Sequence, residues 1–227
     1  MDIQSLIKRF RKQIEDIEQP YLVDDDEALD FVIDAQDTFV RRMGGFSDYS
    51  TAALTDVALV ADTPTSVISP YILRIRSAKL LTALRAIAVI NEADISRFSI
   101  SDYGFQSQEY MNDDDTGEVV AAILGVEENK VRWWRVPDTA DTMRMHIYRL
   151  PYPRISVQED DLEIEEQHHF HLIKWMKHLA YSKPDAEIYD KNLAALNKTL
   201  FEEYCDTAKA EKERKVFKPR IVHYGGI

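Results

Sequence analysis

Apolar residues at Ile3, Leu6, Ile7, Phe10, Ile14 and Ile17 sit among charged ones at the spacing of a single helix face, which predicts an amphipathic helix closed by Pro20. A second helix is expected from the acidic run at 24–27. There Asp24, followed three residues on by Glu27, has the form of a capping box, and carboxylates favour the positive end of a helix. Its core face reads Leu29, Val32, Ala35 or Gln36, Phe39 and Met43, and Gly44-Gly45 stops it.

From Asp56 the period moves from 3.6 towards 2. Val57 and Leu59, then Val67 and Ile68, then Leu73 and Ile75 alternating with Arg74 and Arg76, predict short strands. A brief helix is expected at Asn91, followed by a polar loop over 99–116. The segments around Ala121, Trp133 and His146 are expected to form a three-stranded antiparallel meander closed by Pro151 and Pro153. Helical spacing returns with Ile164, Leu172, Ile173, Met176, Leu179 and Ala180. It returns again with Ile188, Leu193, Leu196, Leu200, Phe201 and Tyr204, read as the core face of a last helix. Helices, then strands, then helices argue an α+β fold.

Composition narrows the functions. The 227 residues include 28 Lys and Arg against 40 Asp and Glu, a formal net charge of -12, so only local basic patches would suit nucleic acid. Cys205 is the single cysteine, which excludes an internal disulfide framework and suits a reducing cytoplasm or a particle assembled there. The opening residues lack a secretory signal, and the most apolar run, 80–90, is broken by Arg85 and falls short of the ~20 residues of a spanning helix. A soluble protein without membrane contact is expected.

Candidate chemistry is sparse. His168, His171 and His178 share a predicted helix stripe with Trp175, but no HExxH accompanies them, so the stripe reads as a polar or subunit-facing surface. An EF-hand register through Asn112 and Asp114 puts its twelfth ligand at Ile123, which has no carboxylate. Neither a GxSxG motif nor a glycine-rich phosphate loop is present. No catalytic residue, metal ligand or cofactor is assigned. Trp133 and Trp134, flanked by Arg132 and Arg135, have the makings of a base-stacking site; strand alternation instead predicts one tryptophan in the core and one facing a partner or loop. The basic carboxyl-terminal stretch, with Lys209, Lys212, Arg214, Lys215, Lys218 and Arg220, has the form of an interaction arm.

The order of these segments resembles the head-to-tail adaptor proteins of short-tailed bacteriophages. The resemblance is carried by PYLVDDDEALDFVIDAQ after the opening helix, by VALVADTPTSVISPYILRIRSAKL, by VRWWRVPDTADTMRMHIYRLPYP, and by LEIEEQHHFHLIKWMKHLAYSKPDAEIYD. It departs at Glu165, where proline is usual in the family, and in the loop over 99–118.

The resemblance implies a virion protein without catalytic activity, assembled in the host cytoplasm as a homo-oligomeric ring of about twelve copies under the portal protein. Such a ring joins the capsid to downstream tail or nozzle proteins and lines the channel through which double-stranded DNA passes. The expected architecture is α+β: a helical bundle from 1–50 and 159–216, an inserted antiparallel β region over 51–158, and an extended portal-docking tail over 217–227. Phe217, Lys218, Arg220, Ile221, Val222 and Tyr224 are the candidate portal contacts, because a tail that orders on binding needs apolar anchors as well as charge. Trp133, Trp134, His168, His171 and Trp175 are the candidate subunit or tail interface. Two other readings are another neck or tail-tube component, and a His-rich metal-binding module.

Overall fold

The computed structural model describes residues 1–97, 111–157, 160–184 and 187–215. The chain divides into two units: Met1–Met43 together with the chain from Pro151 onward, and Gly44–Leu150.

Among the described residues the first unit holds four helices, α1 (Ile3–Gln13), α2 (Asp25–Arg42), α4 (Glu166–Tyr181) and α5 (Lys191–Lys215). Helix α4 packs against the other three. Asp2 caps α1 by accepting from the Ser5 N–H. The helix ends sooner than its apolar spacing predicts, because Glu15 turns to φ 63° and the buried Asp16 carboxylate collects the N–H groups of Leu22 and Val23 at 2.9 and 3.1 Å. Ile17, beyond that turn, is left exposed.

Asp24 caps α2 through the Glu27 N–H at 2.7 Å, as expected. The reciprocal half of the capping box does not form, since the Glu27 carboxylate accepts from Lys183 at 2.7 Å on the chain that follows α4. Gly44 and Gly45 end the helix at φ 79° and 88°. At Gly45 a Cβ would lie 3.1 Å from the Arg149 nitrogen, so glycine also admits the close approach of the two chain segments that open and close the second unit.

That unit contains β1 (Phe46–Asp48), a short helix α3 (Ala52–Thr55), and strands β2 (Asp56–Leu59), β3 (Thr65–Val67), β4 (Ile72–Leu80) and β5 (Ala86–Asn91). A 3-10 turn, Glu92–Arg97, follows where a brief helix is expected. The rest is β6 (Thr116–Gly117), β7 (Ala121–Leu124), β8 (Lys130–Trp134), β9 (Val136–Pro137) and β10 (Asp141–Arg149). The main sheet runs β1-β10-β4-β5-β7-β8-β3, with β2 also on β10.

Two expectations are corrected here. The sheet is mixed, not antiparallel: β5 and β7 pair in parallel, which the long connection from Asn91 to Ala121 permits. The meander also fails after its first turn. β7 and β8 pair antiparallel, but β10 leaves β8 and joins β4, β1 and β2. Arg135, at φ 42°, redirects the chain, and β9 then pairs with β6. Nine-residue β10 finds its match in nine-residue β4, which gives more rungs than β8 has to offer.

Along β10, Met143, Met145, Ile147 and Arg149 are buried and the residues between them are not, the period-2 pattern of a sheet with one covered face. Opposite, β4 carries two register shifts, so Leu73 and Arg76 are extra residues. That is why Leu73 is exposed although its alternation predicts a core position.

Candidate functional site

The histidine stripe lies along the seam between α4 and α5. His168 meets the Tyr204 hydroxyl at 2.8 Å through Nδ1, Trp175 lies 5.0 Å from the Phe201 ring, and the Nδ1–H of His178 donates to the Ala194 carbonyl at 3.0 Å. His171 stacks on Tyr204 with ring centroids 3.4 Å apart and planes 8° from parallel. The Trp175 indole N–H donates to Asp34 on α2 at 2.6 Å. Spacings of i, i+3, i+7 and i+10 on α4 thus meet an antiparallel partner helix. The neighbouring His169, also buried, has its two ring nitrogens 3.0 Å from the Met1 carbonyl and 2.8 Å from that of Ile164.

Burial pushes both His168 and His171 below the usual imidazole value, and with it the two rings are neutral at pH 7. Burial also pushes the Tyr204 phenol up. His168, His171 and Tyr204 therefore form an uncharged aromatic group within the seam. Among the described residues no three His, Cys, Asp or Glu side chains are grouped so as to hold a metal ion.

The two tryptophans lie in the sheet unit, where the sequence predicts one in the core and one facing a partner or loop. Both are buried. Trp133 donates from its indole to Ser66 at 3.1 Å, while Trp134 packs among Ile90, Ile95, Ala121 and Ile123. Alternation sends them to opposite faces of β8, and both faces are covered. The flanking arginines are also engaged: Arg132 pairs with Asp113, and Arg135 with Asp115 at 3.6 Å. Asp113 and Asp115 thus tie the chain before β6 to β8 and the residue that follows it. Phe217, Lys218, Arg220, Ile221, Val222 and Tyr224 lie outside the described residues, as does most of the loop over 99–116.

Helix α5 holds a surface that sequence reasoning missed. Leu193, Leu196 and Leu200, read as core, are 40, 53 and 37% exposed. The buried face is instead Ala194, Asn197, Phe201, Cys205 and Ala208. Small residues let α4 come close and Phe201 fills the space between, so the leucines, rotated off that seam, form an apolar stripe open to a partner. The available signal was a second, smaller-residue stripe interleaved with the leucines at the same helical spacing.

The SU10 adaptor protein family model matches residues 1–221. The chain belongs to the SU10 adaptor protein family. The resemblance to bacteriophage head-to-tail adaptors, carried by four segments in order, is borne out across nearly the whole length. A search of the curated proteins found no match. Among the described residues of this adaptor no helix is long and apolar enough to cross a membrane.

Cys205 completes the seam. It is buried on the covered face of α5, and burial pushes its thiol up to about 12, with Arg42 opposing only part of that. A free thiol ionises near ~8.5. Iodoacetamide at about pH 8 is accordingly expected to leave the native adaptor unlabelled and to label it fully in denaturant, read by intact mass. Rapid labelling of the native chain would contradict the seam as described.

Proposed function

We propose that this chain is a head-to-tail adaptor that assembles as a ring of about twelve copies beneath the portal, with its helices acting as a bundle, and joins the capsid to the tail while DNA passes through. The family match over residues 1–221 is the observation that carries this reading. Two features of the chain support it. The leucine stripe of α5 is an apolar surface of the kind one copy presents to the next in a heterologous, ring-closing contact. The segment over 217–227 joins apolar and basic residues in an otherwise acidic protein, the chemistry of an arm that orders on a partner. Docking on the portal holds neighbours side by side, so that weak contacts between copies act together.

Removing residues 217–227 tests the assignment. The truncated chain is expected to keep its helical circular-dichroism signal while losing co-sedimentation with portal rings, and the full chain to add about twelve copies per ring by light scattering. Unchanged portal binding after truncation would instead favour a neck component that stacks ring on ring.

A further inference from the structure

We infer that the outward face of the β1-β10-β4 sheet is a surface for the phosphate backbone of nucleic acid. The inward positions of β10 are Met143, Met145, Ile147 and Arg149, which leaves Arg144, His146 and Tyr148 on the other face. Register then sets Lys79 beside Arg144, Ser77 beside His146, and Arg74 beside Tyr148, with Ser47 of β1 on the far side of Tyr148. Arg76 is the extra residue of the β4 bulge and joins Ser77 opposite His146. Three cations scattered in sequence among Ile75, Ser77 and Ala78 thus fall into one row of about 17 Å along the strand.

Rings brace the row. The Arg74 guanidinium lies 4.5 Å from the centre of the Tyr148 ring, His146 stacks on Tyr148 at 6.3 Å, and Tyr49 meets His146 edge-on at 6.2 Å. The Lys79 ammonium is 5.6 Å from the Tyr49 ring, and Ser47 bonds His146 at 2.8 Å. The carboxylate on this face is Asp56, both of whose oxygens are taken by Arg144, at 2.7 and 2.6 Å. Among the described residues Arg74, Arg76 and Lys79 pair with no carboxylate, and all three are exposed. In a chain of net charge -12, the face is a local concentration of unneutralised positive charge.

The chemistry favours a polyphosphate chain over an acidic protein segment. Outward positions supply guanidinium, ammonium and hydroxyl groups, the donors that contact phosphate and sugar. The one exposed aliphatic neighbour in β4 is Leu73, the extra residue of its second bulge, a single apolar contact where a docked peptide needs a cluster of anchors. A row this long spans several charges of a duplex, which carries one per ~1.7 Å of its axis. The inference concerns the sheet face alone and holds whether or not the chain forms a ring.

Anisotropy of a short labelled duplex, titrated with the full chain at several salt concentrations, tests it. Three phosphate contacts give a slope of log K against log salt of about -2.7. Arg74→Gln, Arg76→Gln and Lys79→Gln together are expected to remove most of that slope and weaken binding by about tenfold or more at low salt, while Lys79→Gln alone lowers the slope by about one. The single variant keeps the test decisive should the triple one misfold. Lys8→Gln with Lys12→Gln, on α1, is expected to change nothing. Duplex binding that survives the triple variant but disappears on removal of 217–227 would overturn the inference. So would polyglutamate competing as well as DNA of equal charge, which would mark an acidic-protein surface.

Discussion

Asp48→Ala is expected to destabilise the sheet unit by on the order of 3–5 kcal/mol, because it breaks a buried ion pair from one side. Asp48 and Arg149 are both buried and bonded through Oδ2 and Nε, and the same carboxylate accepts the N–H groups of Ser50 and Thr51 at 2.9 and 3.1 Å. Arg149 spends a second donor on the Leu150 carbonyl at 3.0 Å. With alanine at 48 the buried guanidinium loses the carboxylate bonded to its Nε, and the thermal midpoint of the unit should fall by more than about 10 °C. Replacing both partners, Asp48→Ala with Arg149→Met, should cost less than the single change, since the buried guanidinium then leaves together with its carboxylate.

The same pair sets an acid dependence. Burial pushes the Asp48 carboxyl up, but the bonds from Arg149, Thr51 and Ser50 outweigh it and hold the group well below the ordinary carboxylate range. A folded-state value below the unfolded one means the unfolded chain binds more protons as pH falls. The stability from this pair is therefore complete above about pH 4 and is lost progressively below it. Acid titrations of the wild type and Asp48→Asn should converge below that pH; curves that remain parallel would contradict the assignment.

Phe201→Ala should cost on the order of 3–5 kcal/mol in urea denaturation followed by helical ellipticity, whereas Leu200→Ala, one residue away, should change stability by no more than about 0.5 kcal/mol. Phe201 is fully buried, 5.0 Å from Trp175 and 6.5 Å from Phe39; its removal opens a cavity at the meeting of α2, α4 and α5. Leu200 touches solvent. Equal losses at the two positions would show that the leucine stripe is packed in the monomer and is not available to a second copy.

That contrast marks where sequence reading succeeds. Asp24, Gly44 and the apolar spacing of α4 act within a few residues of themselves, so the start and stop of α2 and the place of α4 are legible, whereas the early end of α1 depends on the Asp16 turn. Choosing between two apolar stripes on α5 depends on a helix 25 positions earlier in the chain, whose close approach rewards Ala194 and Cys205 over larger side chains. Strand partners are non-local in the same way. β10 pairs with β4 across more than 60 residues, and nothing beside His146 or Ile147 announces it. Nor does alternation reveal that both faces of β8 are covered, since it separates Trp133 from Trp134 without saying what lies over either. The basic sheet face was invisible for a related reason: Arg74 and Tyr148 become neighbours only through register, and Arg76 joins them only through a bulge.

The β1-β10 pairing has a mechanical meaning. Phe46 pairs with Arg149 and Asp48 with Ile147, so the segments that enter and leave the sheet unit run side by side at one end of an antiparallel pair. Tension applied through those two segments pulls the strands apart from that end. It loads one rung at a time, as in opening a zipper, whereas tension along the strands would strain every rung at once. Three rungs resist such peeling, and the Asp48–Arg149 bond clasps them together. Under pull the unit should yield there first, shedding β1 while the longer β10-β4 ladder stays closed.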